Sequence, residues 1–128
     1  MNLTAHPWRR LKTGSSSRQI PLIGAAIWVA EKLVQQSNQF AFLKYCNETK
    51  CNANSASAGL NKWLKPHVPS GWVIHSFQHS LRDRLRAVGC PADIIDAIGG
   101  STTDGVGHQH GKGQTLTTKH MWIEKLSV

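Results

Sequence analysis

The chain has 128 residues, with 15 Lys and Arg against 7 Asp and Glu, and so a formal charge of +8 before any histidine protonates. That length excludes a large multidomain architecture and points to one domain over residues 1–128, big enough to bury a core of its own. An apolar share of 40% with five tryptophans excludes a disordered basic tail, and no apolar run approaches the roughly 20 residues that span a bilayer.

Residues 6–21 start with His6-Pro7-Trp8, pass through Arg9, Arg10 and Lys12, turn at Thr13-Gly14-Ser15-Ser16 and resume at Arg18-Gln19-Ile20-Pro21. This pattern predicts a β-hairpin with a small polar tip. Arg9-Arg10-Leu11-Lys12 ahead of the apolar run 20–30 has the outline of an export signal. The polar Ser15-Ser16-Ser17-Arg18 interrupts it and no cleavage site follows, so a strand leading into a core helix is the better reading. From Pro21, apolar residues Leu22, Ile23, Ala26, Ile27, Ala30, Leu33 and Val34 recur every three or four positions and predict a helix with one face in a core. Residues 37–55 are rich in Asn, Gln and Ser and connect, with Phe40, Phe42, Leu43 and Tyr45 suited to a short strand.

Ser55 or Ser57 caps a helix through Leu60, Trp63 and Leu64 that ends before Pro66. After His75-Ser76, the spacing of Phe77, Leu81, Leu85 and Val88, closed by Gly89, predicts the clearest helix of the chain. Pro91 and Asp93 open another, which carries Ile94, Ile95 and Ile98 and closes at Gly99-Gly100. Residues 101–114 are glycine-rich and irregular, and Thr117 or Thr118 starts a last helix through Met121, Trp122 and Leu126. Trp63, Trp72 and Trp122 are expected in the core. The fold class is therefore α+β, mainly α, with an N-terminal hairpin packed on a helical bundle. Cys46, Cys51 and Cys90 fit no disulfide framework and read as free thiols of a cytoplasmic protein.

Charge is concentrated in two places. Arg9, Arg10, Lys12 and Arg18 fall in an acid-free stretch, and Arg82, Arg84 and Arg86 follow His75. Such clusters are the electrostatic footprint of a nucleic-acid surface. On a helix Arg82 and Arg86 share a face suited to phosphates, which leaves Arg84 to Asp83 or to solvent. His108 and His110, with His75, His79 or His120 and the Cys46, Cys51 pair, offer nitrogen and sulfur ligands for a metal-binding module, but their spacing is not that of a structural zinc site.

Three segments in order resemble the catalytic domain of tyrosine recombinases, the phage-integrase family. Leu11-Lys12-Thr13-Gly14-Ser15-Ser16-Ser17-Arg18-Gln19-Ile20-Pro21 is similar to its hairpin, and His75-Ser76-Phe77-Gln78-His79-Ser80-Leu81-Arg82-Asp83-Arg84-Leu85 to its H-x-x-R helix start. Ala92-Asp93-Ile94-Ile95-Asp96-Ala97-Ile98-Gly99-Gly100 is similar to the helix that ends in a glycine corner. The resemblance implies the C-terminal part of that catalytic domain, with double-stranded DNA as partner, no cofactor, no metal and no membrane. It further implies contact with other protomers through residues 117–126.

In that family a tyrosine attacks a DNA phosphodiester, two arginines clamp the phosphate oxygens, and a hairpin lysine protonates the leaving oxygen. By resemblance Lys12 and His75 are retained catalytic positions. Gln78 stands where the arginine of H-x-x-R belongs, Ser101 stands where relatives have His or Trp, and His110 stands where the nucleophilic tyrosine belongs. Tyr45, the single tyrosine, precedes His75 and so is out of motif order. The family's other arginine falls upstream of the hairpin, before Met1. A neutral glutamine carries neither the charge nor the fork of a guanidinium, so a DNA-binding domain defective in strand cleavage is expected. The alternative is an active phosphoryl-transfer enzyme with His110 as nucleophile. Arg9, Arg10, Arg18, Arg82 and Arg86 are the expected DNA contacts.

Overall fold

The computed structural model describes residues 1–6, 11, 16–36, 38–100 and 114–126. Within them, strands β1 (Asn2–Leu3) and β2 (Arg18–Gln19) are followed by helices α1 (Ala25–Gln35), α2 (Ala53–Leu64), α3 (Ser76–Ala87), α4 (Ala92–Gly99) and α5 (Leu116–Glu124). The mainly helical α+β class expected from periodicity is what forms.

β1 and β2 pair antiparallel, with Asn2 opposite Gln19 and Leu3 opposite Arg18. The Met1 ammonium donates to the Ile20 carbonyl at 2.7 Å and the Ile20 amide returns a bond to Met1 O at 2.8 Å. The first strand of this ladder lies upstream of His6, where the hairpin was expected to begin, while the second falls in the expected return segment at Arg18-Gln19. Apolar spacing could not reveal the first, because Asn2–Leu3 is too short to alternate.

α3 and α4 form as their punctuation dictates. Leu85 is fully buried, Gly89 follows α3, and Pro91 precedes α4 in an extended conformation (φ −56°, ψ 143°). Asp93 sits in the first turn of α4, where a carboxylate complements the positive end of the dipole. At the other end Gly100 adopts the left-handed conformation (φ 73°, ψ 32°) and donates to Asp96 O at 2.7 Å. The core consists of Leu85, Cys90, Ile94, Ile95, Ile98, Ile123 and Leu126, flanked by partly buried Ile20, Ile23, Leu81 and Trp122. It therefore sits between α3, α4, α5 and the segment that leaves β2.

Several expectations require correction. The first helix starts at Ala25 rather than Pro21, because Ile20, Pro21, Leu22 and Ile23 line a cleft against α3 instead of winding a first turn. Nor does α1 bury a face. None of its residues is buried, and Ile27, Trp28, Val29 and Val34 are exposed. α2 is capped by Asn52, whose side chain accepts from the Ser55 amide at 3.0 Å, not by Ser55 or Ser57. Its buried residue is Leu64, so the neighbouring Trp63, about 100° round the helix, points outward at 64% exposure. Trp72 is exposed as well, and only Trp122 of the three packs against the core. Residues 41–45 form a turn rather than a strand. α5 is capped by Thr115, which accepts from the Thr118 amide at 3.1 Å.

Cys46 and Cys51 are joined as a disulfide across an isolated antiparallel bridge, and Cys90 is free and buried. The free-thiol reading holds for Cys90 alone, and the compositional ground for a reducing compartment goes with it. Among the described residues, no helix is long and apolar enough to cross a membrane.

Candidate nucleic-acid interface

The segment leaving β2, the first turns of α3 and the C-terminal corner of α4 meet around a cleft of about 450 Å³. Arg18, Leu22, Phe77, Gln78, Leu81 and Gly99 are among its lining residues. Its walls are largely apolar, and Arg18 supplies its cationic group. Gln78 is exposed on α3 and offers one neutral amide there, with no fork to clamp two phosphate oxygens.

Arg18 is held in place from two directions. Its Nε donates to Ile98 O at 2.9 Å and one terminal nitrogen donates to Ser16 O at 3.0 Å. The guanidinium thereby ties β2 to the end of α4, lying directly over Gly100. Burial pushes its pKa below the usual guanidinium value, yet a guanidinium stays charged at neutral pH.

His75 occupies the position before α3 without a side-chain capping bond. The nearby cap-like contact comes from Ser76, whose hydroxyl accepts from the Val73 amide at 3.1 Å. The His75 ring instead packs edge-on against His79, with centroids 5.0 Å apart. His75 is not among the residues lining the cleft that holds Gln78, Gly99 and Arg18.

The arginines of α3 divide their roles differently from the expectation. Arg82 reaches across to α4 and pairs with Asp96 at 2.9 Å, with the two side chains 21% and 8% exposed. Arg86, not Arg84, pairs with Asp83, at 2.8 Å on the open surface. Arg84 donates to the Leu126 carbonyl at 2.6 Å and fastens the segment just after α5 to α3. Arg82 and Arg86 thus do not work as a matched pair on one face: the first joins two helices, and the second remains at the surface.

Lys12, Arg9, Arg10, Ser101 and His110 lie outside the described residues, as does His108. Among the described residues, no group of three His, Cys, Asp or Glu side chains is placed to hold a metal ion. The Cys46, Cys51 pair of the metal-binding alternative is consumed by its cross-link.

Sequence reasoning missed Lys119. This residue is 6% exposed and its ammonium donates to Gln19 O at 3.1 Å. Burial, and next the neighbouring Arg18 charge, hold its pKa below the usual 10.5. The available signal was helical spacing: Lys119 is four residues before Ile123 and seven before Leu126, and so shares their inward stripe. No family model, curated protein or solved structure matches this chain.

Proposed function

We propose that this chain is a tyrosine-recombinase-like catalytic region that docks on double-stranded DNA and is defective in strand cleavage. The observation that carries the reading is the meeting of the three motif segments: Arg18 from the hairpin, Gln78 from the H-x-x-Q start of α3 and Gly99 from the corner of α4 line one cleft. The +8 charge supports a polyanionic partner. Loss of cleavage follows from Gln78 and His110, which stand at positions where a guanidinium and a phenol are required. Lys12 and His75 are the retained groups of this reading, and Ser101 is a further substituted one.

Arg9, Arg10, Lys12 and Arg86 supply phosphate contacts in this reading. Arg18 reaches the same backbone from the cleft, and Arg82 acts by holding α3 against α4. Contact with further protomers through residues 117–126 belongs to the same proposal. It would require α5 to leave its own core, because Ile123 and Leu126 are buried there. A cytoplasmic location, where chromosomal DNA is accessible in cells without a nucleus, completes the reading.

Fluorescence anisotropy with a labelled duplex at stepped salt tests it. Binding should weaken with a slope of log K against log salt of about −4 to −5, since the contacts of Arg9, Arg10, Lys12, Arg18 and Arg86 contribute about −0.9 each. Replacing Arg9, Arg10 and Lys12 together by alanine should reduce the slope by about three such contacts. A nicked suicide substrate should leave no denaturation-resistant adduct. Absence of binding in dilute buffer would overturn DNA docking. An adduct abolished by His110→Ala would overturn the loss of cleavage and favour histidine as nucleophile.

A further inference from the structure

β2, α4 and α5 enclose a second cleft of about 330 Å³, lined by Ser17, Arg18, Ala97, Gln114, Leu116 and Lys119 among others. Two cations share it, and neither has a carboxylate partner among the described residues. Asp93, on the first turn of α4, is engaged by the Gln114 side-chain amide at 2.5 Å and is not among the lining residues. Each cation is anchored through a backbone carbonyl: Lys119 to Gln19 O, and Arg18 to Ile98 O and Ser16 O. Bonds to neutral carbonyls position the two charges without neutralising them.

Placing a 6%-exposed ammonium beside a guanidinium opposes folding through both desolvation and like-charge repulsion. An anion seated between them relieves both penalties. Arg18 offers planar N–H donors, Lys119 a point charge with further N–H groups, and Ser17 a hydroxyl at the rim, beside the one N–H that the Asp93 bond leaves on Gln114, a set suited to a tetrahedral oxyanion. We propose that the Arg18–Lys119 cleft between β2, α4 and α5 binds a phosphate group.

The group has two possible sources, free phosphate or the phosphodiester backbone of DNA, and the site stands independently of the DNA-docking reading. In buffers of matched ionic strength, inorganic phosphate should raise the Tm above a chloride control with the logarithm of its concentration, by about 5 °C at ten times its Kd. Lys119→Met, which keeps the buried stem and removes the charge, should abolish that rise. Because this variant could also weaken the fold, amide NMR of the unaltered protein supplies a second measurement. Phosphate, but not chloride, should shift the amides of Gln19, Ala97 and Leu116.

A short duplex that moves the same amides and weakens the phosphate titration identifies backbone phosphate as the source. A duplex that leaves them unmoved identifies the free anion. No phosphate-specific rise, an equal rise in Lys119→Met, or amide shifts confined to other parts of the chain would each overturn the proposal.

Discussion

Gly100 holds φ 73° beneath the Arg18 guanidinium, and a methyl group built on it overlaps that guanidinium. Gly89 holds a similar φ of 76° with open space around it. Alanine at Gly89 should therefore cost only the left-handed backbone penalty, about 1–2 kcal/mol. Alanine at Gly100 should cost more, because Arg18 must also give up its place and its bond to Ile98 O. Denaturant midpoints of the two variants check this, and equal losses would show that Arg18 moves aside freely. At Arg82 and Asp96 the expected quantity is a coupling. A double-alanine cycle should show about 1–3 kcal/mol of interaction, as for partly buried pairs in direct contact. The Arg86–Asp83 pair, exposed at the surface, should show little.

Helical pattern alone does not tell whether an element is packed, and α1 and α3 differ on this point. Both have apolar residues at helical spacing, yet α3 buries Leu85 completely while α1 buries nothing. Leu85→Ala should cost about 2–5 kcal/mol by removing a core side chain. Val34→Glu, at a position 78% exposed, should change stability by no more than about 0.5 kcal/mol. Thermal or denaturant unfolding of the two variants makes the comparison. A large loss from Val34→Glu would mean that α1 packs in solution against something these contacts do not include. α5 belongs with α3 in this respect, since it is held by Ile123, the Lys119 bond to β2, and the burial of Leu126 and the Arg84 bond to it just beyond the helix.

For the molecule as a whole, two buried groups give opposing responses to alkaline pH. Burial and then Arg18 lower the pKa of Lys119 below 10.5. Between that lowered pKa and 10.5 the unfolded chain holds more protons, so this group makes stability rise with pH. Burial and then Asp93 raise the pKa of Cys90 above 9.0. The unfolded thiol ionises first, so this group makes stability fall as pH climbs above 9.0. Lys119→Met should leave the falling contribution alone, and Cys90→Ala should leave the rising one. Denaturant midpoints measured across that range separate them, and identical profiles for the two variants would contradict the assignment.

Residue order in this chain specified those features whose causes are local. Leu81, Leu85, the Gly89-Cys90-Pro91 break and Gly99-Gly100 place α3 and α4 almost to the residue, because spacing, φ restriction and missing N–H groups act within a turn or two. Much of the candidate site arises from contacts across long separations. Leu3 lies opposite Arg18, Arg82 reaches Asp96, and Lys119 reaches Gln19 across 100 positions. Such pairings leave no periodic trace, and neither does the absence of cover on α1 or the closure of Cys46 on Cys51. They depend on which surfaces the core brings together, and spatial proximity alone decides whether an arginine joins two helices or remains free for a phosphate.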